Sequence, residues 1–232
     1  MTDIEDFSKA TLGFDIGSYD GGVAQAYLDL GVKELVCVEP NPYTYYRLFN
    51  RFTDNNNVHL VDKLVSSSID TDVVFFSSTR HPQISTVSKK FVTDSRYSNE
   101  IDENTVPFEW DHTHRVDTTT IDTLIEKYNT PQFIKIDTVG DECNTFLGLT
   151  KLHTNTTIMF KVRGEFLTDT HKCIQYLHDL GYNKFGLIGG DRVGDVPGRY
   201  HDVESFTSKL KQAFITPNNK FLGTIFTKHE NK

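Results

Sequence analysis

Residues near the start of the chain have the types and spacing of a nucleoside-binding site. The segment GFDIGSYDGG, residues 13–22, begins as an apolar strand and continues into a glycine-rich turn. Apolar residues at helical spacing, Val23, Tyr27 and Leu30, predict a helix directly after the turn. A strand, a glycine turn and a helix N-terminus together can present backbone N–H groups to a ligand.

A carboxylate on the next predicted strand completes the pattern. The apolar run Leu35–Val38 predicts that strand, and Glu39 lies at its C-terminal end. An acidic residue in this position can hold the two hydroxyls of a ribose. The glycine turn alone would equally fit a tight strand-to-helix connection, so the prediction of a cofactor site depends on Glu39.

The charges around the turn indicate which nucleoside cofactor fits. A dinucleotide fingerprint has the form G-x-G-x-x-G, which lets a pyrophosphate approach the backbone, whereas this turn reads Gly17-x-x-x-Gly21. Asp15 and Asp20 would repel an anion and attract a ligand that carries a sulfonium and an ammonium group. S-adenosylmethionine has both charges and a ribose, and it is therefore the predicted cofactor. The predicted cofactor-binding residues are Asp15, Gly17, Ser18, Tyr19, Asp20, Gly21, Glu39, Pro40, Asn41 and Asp62.

Strands and helices alternate along the rest of the chain. Strands are predicted over residues 13–16, 35–39, 58–61, 73–76, 133–137, 158–162, 185–188 and 223–227. Helices are predicted after Gly21, over residues 42–52, from an N-cap at Thr119 to Pro131, after Gly140 with Phe146 and Leu147 inward, and over residues 169–180 before Gly181. This alternation predicts one α/β domain, residues 1–232, with a largely parallel, doubly wound sheet and a ligand at the C-terminal strand ends.

The segment from Ser77 to Arg115 is polar and has little periodicity. A connection of that length inside one domain is usually a functional lid or a disordered segment. We expect it to hold the acceptor substrate, whose identity cannot be predicted from irregular sequence. The pair His112 and His114 lies on this segment and could supply a base or half of a metal site, although such pairs are more often surface residues.

Composition excludes several classes of protein. The chain has 232 residues, 37% of them hydrophobic, with 17 Phe and 10 Tyr, which suffices for an ordinary globular core. A net charge of −8 disfavours nucleic acid as the main partner. No apolar run approaches the ~18 residues of a membrane span, and the acidic N-terminus does not resemble a signal peptide. The three widely spaced cysteines predict no disulfide framework, so we expect a reducing, cytoplasmic location.

The quoted motifs resemble those of the FkbM-type family of S-adenosylmethionine-dependent methyltransferases. FDIG, residues 14–17, is similar to the first motif of that family, and VEPNP, residues 38–42, is similar to its second. The most specific match comprises VDTTTIDTL, residues 116–124, and FIKIDTVGDE, residues 133–142. The family pattern there is a threonine-led helix followed by K-I-D-x-E-G-x-E.

The resemblance covers the chain from about Gly13 to the last strand. It implies a seven-stranded Rossmann-like sheet with the last strand antiparallel, and methyl transfer to a hydroxyl oxygen of a sugar or other small metabolite. Two positions depart from the pattern. Val139 stands where the family has a glutamate, and Lys161 stands where it often has an acidic residue.

Three residues are candidates for catalysis. Asp137 is the first candidate for a general base, because it ends the predicted central strand and faces the cofactor crevice. It could equally cap the following helix. Glu142 lies in the first turn of that helix, where the helix dipole favours a carboxylate whether or not it is catalytic. His114 is the third candidate.

Three functions remain open on the sequence alone. The first is a methyltransferase that acts on a small hydroxylated acceptor, and the second is a nicotinamide-dependent oxidoreductase. The glycine pattern and Asp15 disfavour the second. The third is a catalytically silent module that binds S-adenosylmethionine or a partner, which the valine at position 139 keeps open.

Overall fold

The computed structural model describes residues 6–99, 108–190, 193–213 and 221–231. Most of the acidic N-terminus, on which the expectation about a signal peptide depends, lies outside these residues, as does part of the polar 77–115 segment. Within the described residues, no helix is both long enough and apolar enough to cross a membrane.

The described residues form eleven strands and eight α-helices. The strands are β1 (Leu12–Ile16), β2 (Glu34–Val38), β3 (Val58–Val61), β4 (Leu64–Val65), β5 (Val73–Ser77), β6 (His112–Val116), β7 (Thr118–Thr119), β8 (Phe133–Ile136), β9 (Thr157–Arg163), β10 (Lys184–Gly189) and β11 (Leu222–Lys228). The helices are α1 (Gly22–Asp29), α2 (Pro42–Phe52), α3 (Lys89–Asp94), α4 (Arg96–Asn99), α5 (Ile121–Tyr128), α6 (Glu142–Phe146), α7 (Leu167–Leu180) and α8 (Val203–Ala213).

Seven strands form the main sheet in the order β10-β11-β9-β8-β1-β2-β3. The contacts from β9 through β8, β1 and β2 to β3 are parallel, whereas β11 is antiparallel to both β9 and β10. The last strand is therefore the reversed one, as the family resemblance implied. The predicted Rossmann-like, doubly wound α/β fold is confirmed.

Two apolar layers cover the two faces of this sheet, so its central strands are buried on both sides. All five residues of β1 and all four of β8 are buried. Phe14 and Ile134 belong to one layer, whereas Phe133 and Leu35 belong to the other. Near-continuous apolar runs of this kind are characteristic of parallel strands with helices on both sides. They account for the correct prediction of these strands.

The fourth predicted strand, residues 73–76, lies outside the main sheet. It forms β5, which pairs antiparallel with β6, while β4 pairs parallel with β7 in a second two-stranded sheet. The pairing places His112 and His114 on a strand rather than on a loop. In the described part of the 77–115 segment, Phe91, Ile84 and Trp110 pack together with Phe166.

Three boundary predictions need correction. The N-cap of α5 is Thr120, whose Oγ1 accepts a hydrogen bond from the Thr123 N–H, and Thr119 belongs to β7. Helix α7 begins at Leu167 rather than at residue 169, although it ends at Gly181 in the left-handed conformation as predicted. Phe146 of α6 is buried as expected, but the helix ends there, and Leu147, predicted to face inward, is 49% exposed.

The prediction that the cysteines form no disulfide is wrong. Cys143 of α6 and Cys173 of α7 are joined by a disulfide, and Cys37 is a buried free thiol. Thirty residues separate the two partners along the chain. Their pairing arises from the packing of α6 beside α7, which sequence spacing alone does not reveal. The cysteine pattern consequently gives no support to the expected reducing compartment.

Candidate functional site

A cleft of about 220 Å³ lies at the C-terminal ends of β1, β2 and β8. This is the edge of a parallel sheet where doubly wound folds bind ligands. Seven of the residues predicted from sequence line it, namely Gly17, Ser18, Tyr19, Asp20, Glu39, Pro40 and Asp137. The sequence therefore located the cleft, and both of its central motifs meet there.

The turn after β1 packs tightly against the end of β8 and forms one side of the cleft. Gly17 has φ +77, and a Cβ built there would lie 2.1 Å from the carbonyl oxygen of Asp137. Only glycine allows β1 and the end of β8 to approach so closely. The Gly17 and Ser18 N–H groups both donate to the Val38 carbonyl, at 2.9 and 3.0 Å. These two N–H groups are therefore engaged within the protein and do not face a ligand.

Glu39 anchors the other wall of the cleft. Its Oε2 accepts from the Tyr19 N–H at 2.8 Å, and its Oε1 accepts from the Asn41 N–H and the Thr44 hydroxyl, both at 2.9 Å. A carboxylate oxygen can accept two hydrogen bonds. Oε2 accepts one from the described residues, so it can accept a second from a ligand hydroxyl. Burial raises the pKa of Glu39 to about 7, with the hydrogen bonds opposing that shift.

Asp15 does not present its carboxylate to the cleft. It is fully buried, and Lys135 Nζ lies 2.9 Å from its Oδ1. The same ammonium donates to the Gly17 carbonyl at 2.8 Å. Burial works to lower the pKa of Lys135, but the carboxylates of Asp15 and Asp137 outweigh it and hold that pKa above its usual value. Asp15 therefore fixes the turn through Lys135 instead of attracting a cationic ligand directly.

Arg163 connects two of the predicted catalytic residues. Its Nη2 lies 3.2 Å from Asp137 Oδ1, and its Nη1 lies 3.2 Å from Glu142 Oε1. Burial tends to raise the pKa of Asp137, but Arg163, Lys135 and Lys161 together hold it below the usual value. Burial raises the pKa of Glu142. Asp137 is therefore ionised and weakly basic at neutral pH, which disfavours it as a general base.

Two residues that line the cleft have strained backbones. Tyr19 has φ +54 and Val139 has φ +50, a region that bulky and β-branched side chains rarely adopt. The Val139 carbonyl accepts a hydrogen bond from Thr86 Oγ1 at 2.6 Å, which helps to hold the turn after β8. Strain of this kind persists where the surrounding structure enforces it, and it concentrates at ligand sites.

Other predicted residues lie away from the cleft. Gly21 packs beneath α2, because a Cβ there would lie 2.6 Å from the Phe52 ring. Asn41 is buried and caps α2 by accepting from the Tyr43 N–H at 3.0 Å. Asp62 is exposed and does not line the cleft.

The remaining catalytic candidates are also separate from the cleft. His114 packs against the ring of Tyr43, with 5.4 Å between centroids, and burial lowers its pKa. Glu142 lines a neighbouring cavity with Arg163, Asp141 and the disulfide. Burial raises the pKa of Asp141 to about 7.

Sequence reasoning missed several residues of the site. Lys135 had a usable signal, because a lysine inside the apolar run FIKI must be buried and needs a carboxylate partner. Arg163 on β9 carries the same signal. Lys63, Gln83 and Ser85 line or border the cleft from irregular segments, where no sequence periodicity could identify them.

Metal binding has no geometric support in the residues that the structure covers. Among them, no group of three His, Cys, Asp or Glu side chains is arranged to hold a metal ion. His112 and His114 lie on the same face of β6, and they do not complete such a group with the described carboxylates.

The chain is similar to one family model and to several solved structures. A family model described as the methyltransferase FkbM domain matches residues 15–184. A precorrin-6y C5,15-methyltransferase from Geobacter metallireducens GS-15 superposes with a TM-score of 0.46 and 11% identity, over 95% of this chain and 80% of that one. Aeropyrum pernix fibrillarin, solved with natively bound S-adenosyl-L-methionine, superposes with a TM-score of 0.47 and 8% identity, over 98% of this chain and 70% of that one. No curated protein matches the chain.

Proposed function

Because the chain belongs to the FkbM methyltransferase family, we propose that it transfers a methyl group from S-adenosylmethionine to a hydroxyl oxygen of a small acceptor, such as a sugar. The observation that carries the proposal is Glu39, a buried carboxylate at the end of β2 that lines the cleft and whose Oε2 accepts one hydrogen bond from the described residues. That position suits a hydroxyl of the cofactor ribose.

The residues of the cleft fit S-adenosylmethionine. The turn residues Gly17, Ser18 and Tyr19 line the cleft beside Glu39, which can accept a ribose hydroxyl. Carboxylates of Asp20, Glu39 and Asp137 line the cleft and complement a cationic cofactor, although Lys63 and Lys135 offset part of that charge. Apolar residues Val38, Leu64 and Phe75 offer a surface for a flat base.

S-adenosylmethionine supplies an electrophilic methyl group that needs no acid to assist its release. The protein's contribution is therefore alignment of the acceptor oxygen, exclusion of water and removal of the hydroxyl proton. Alignment and exclusion of water can together supply about 7–11 kcal/mol of the barrier reduction. Glu39 and the Gly17 turn would hold the cofactor, and the ion pair between Asp137 and Arg163 would keep the end of β8 rigid.

A silent cofactor-binding module is the second candidate, and two observations favour it. Val139 replaces the acidic residue of the family pattern, and Asp137 is a weak base beside Arg163. Both candidates require S-adenosylmethionine to bind, so they differ only in turnover. We do not retain the nicotinamide-dependent oxidoreductase as a candidate, because the family match supports methyl transfer.

A radiolabel assay separates the two candidates. The full chain is incubated with S-adenosylmethionine labelled in its methyl group and with a panel of free monosaccharides and polyols, and the products are separated. Labelled O-methyl product that increases with enzyme concentration supports the methyltransferase. Saturable binding of S-adenosylmethionine by calorimetry, without transfer to any member of the panel or to larger hydroxylated metabolites, supports the silent module.

A further inference from the structure

A second cavity, of about 110 Å³, adjoins the cofactor cleft. The two cavities share Val23, Lys135 and Asp137, and the second extends from there over the middle of β9 and β11. Its volume accommodates several water-sized groups, which is enough for the hydroxyl-bearing end of an acceptor. An acceptor in this cavity would approach the cofactor past Asp137.

Lys161 lines this second cavity from β9. The parallel register pairs Ile136 with Phe160, so Asp137 and Lys161 lie next to each other, one residue beyond that pair. On the other side, the antiparallel register places Thr224 opposite Lys161, and Lys161 Nζ donates to the Thr224 hydroxyl at 3.3 Å. Two neighbouring strands thus position the ammonium in the second cavity, beside Asp137, which lines both cavities.

Charged side chains line both cavities that Lys161 borders. In the second cavity they are Lys135, Asp137 and Asp195, together with the titratable hydroxyl of Tyr27. In the cavity that contains the disulfide they are Arg163, Asp141, Glu142 and Asp169. Burial lowers the pKa of Lys161 to about 8, Lys135 and Arg163 act in the same direction, and Asp137 opposes them. A minor fraction of Lys161 is therefore a neutral amine at pH 7, and the neutral form predominates above about pH 8.

We infer that Lys161 is the general base that removes the proton from the acceptor hydroxyl in the second cavity. This inference rests on the proposed function. The acceptor oxygen forms the new O–CH₃ bond with its electron pair while the C–S bond breaks and its pair stays on sulfur. The hydroxyl proton passes to Nζ, which becomes an ammonium and later releases the proton to water. Asp137 is a positioning residue that faces Lys161 and remains ionised throughout.

The first test measures the titration of Lys161 and requires no acceptor. The full chain is labelled briefly with acetic anhydride between pH 6 and pH 10, with and without S-adenosylhomocysteine, and peptide mass spectrometry follows each lysine. Lys161 should reach half of its maximal labelling rate near pH 8. A labelling rate of Lys161 that still rises steeply at pH 10, as for an ordinary lysine side chain, would overturn the inference.

The second test uses Lys161→Met and Lys161→Arg, with Lys151→Met as the matched control. Each is assayed with the monosaccharide or polyol that the wild-type protein methylates. Both Lys161 variants should lose about 10²-fold or more of kcat while the Kd for S-adenosylhomocysteine stays within about threefold. Wild-type kcat should rise about tenfold per pH unit towards pH 8 and then level off.

The outcomes distinguish this inference from the proposed function. Full kcat in Lys161→Arg, or a wild-type rate that is flat between pH 6 and pH 8, would overturn Lys161 as the base while methyl transfer stands. Absence of S-adenosylhomocysteine binding in the wild-type protein would instead overturn the proposed function. The labelling test decides the protonation of Lys161 in either case.

Discussion

Lys135 is the residue on which the arrangement of the cleft depends most directly. It crosses from the central strand to the fully buried Asp15 and to the Gly17 carbonyl. A buried carboxylate without its partner is strongly destabilising, whereas removal of both charges is often tolerated. The pair therefore makes a sharper test of stability than either residue alone.

Lys135→Met should lower the free energy of unfolding by about 3–5 kcal/mol, because it removes the cationic partner of the buried Asp15 side chain. Urea denaturation at pH 7 measures the loss. The double variant with Asp15→Asn should recover most of it, since the asparagine carries no charge. A loss below about 1 kcal/mol in the single variant would mean that Asp15 is not held by Lys135.

The turn between β1 and α1 is the element that brings β1 and β8 together. Gly17→Ala should destabilise the protein more than Gly190→Ala, although both glycines have positive φ. A Cβ at Gly17 meets the Asp137 backbone at 2.1 Å, whereas a Cβ at Gly190 meets no atom of the described residues within 4 Å. The strain common to both costs about 1–2 kcal/mol, and the clash should add about 1–3 kcal/mol at Gly17.

Urea midpoints for the two alanine variants check this prediction, and calorimetry with S-adenosylhomocysteine should show weaker binding only for Gly17→Ala. Equal midpoints for the two variants would contradict it. The turn would then tolerate a wider backbone than the structure indicates.

Elements whose burial leaves a local sequence pattern could be predicted, whereas elements that depend on partners distant in the chain could not. The strands β1, β2 and β8 were predicted because burial on both faces leaves a continuous apolar run. The pairing of β4 with β7 and of β5 with β6 was not predicted, because the two strands of each pair are distant in the chain. In addition, β4 and β7 have only two residues each. The Cys143–Cys173 disulfide was missed for the same reason.

The candidate site was predicted in part. Glu39 and Gly17 were identified because strand ends and glycine turns have local signatures. The roles of Asp15 and Asp137 were not, since both depend on cations that arrive from other strands, Lys135 and Arg163. Sequence spacing indicates where a carboxylate lies, but its charge environment is a property of the fold.

At the scale of the whole molecule, buried carboxylates make stability depend on pH. Burial raises the pKa of Glu39 from 4.5 to about 7, so the folded state binds this proton more tightly than the unfolded state. The stabilising contribution is present below the unfolded pKa and is lost as pH rises through about 7. For Glu39 the loss is on the order of 3 kcal/mol.

Wild-type stability should therefore fall relative to that of Glu39→Gln as pH rises from 5 to 7.5. The comparison with the variant is needed because histidines with lowered pKa values make stability rise with pH and so oppose the effect of Glu39. These histidines are His114, His153 and His201. Denaturation midpoints across this range measure the difference. Parallel pH curves for the two proteins would show that Glu39 ionises normally in the fold.

The central claim is that Glu39 holds the cofactor ribose, and calorimetry with S-adenosylhomocysteine at pH 8 tests it most directly. Glu34→Gln is the matched control, because it makes the same change at the exposed start of the same strand. Glu39→Gln should weaken binding by about tenfold or more, since a hydrogen bond to a charged acceptor contributes about 1.5–3 kcal/mol. Glu34→Gln should bind as the wild type does, and the effect of Glu39→Gln should shrink at pH 6, where Glu39 is largely protonated. Equal affinity of wild type and folded Glu39→Gln at pH 8 would contradict the assignment of this cleft.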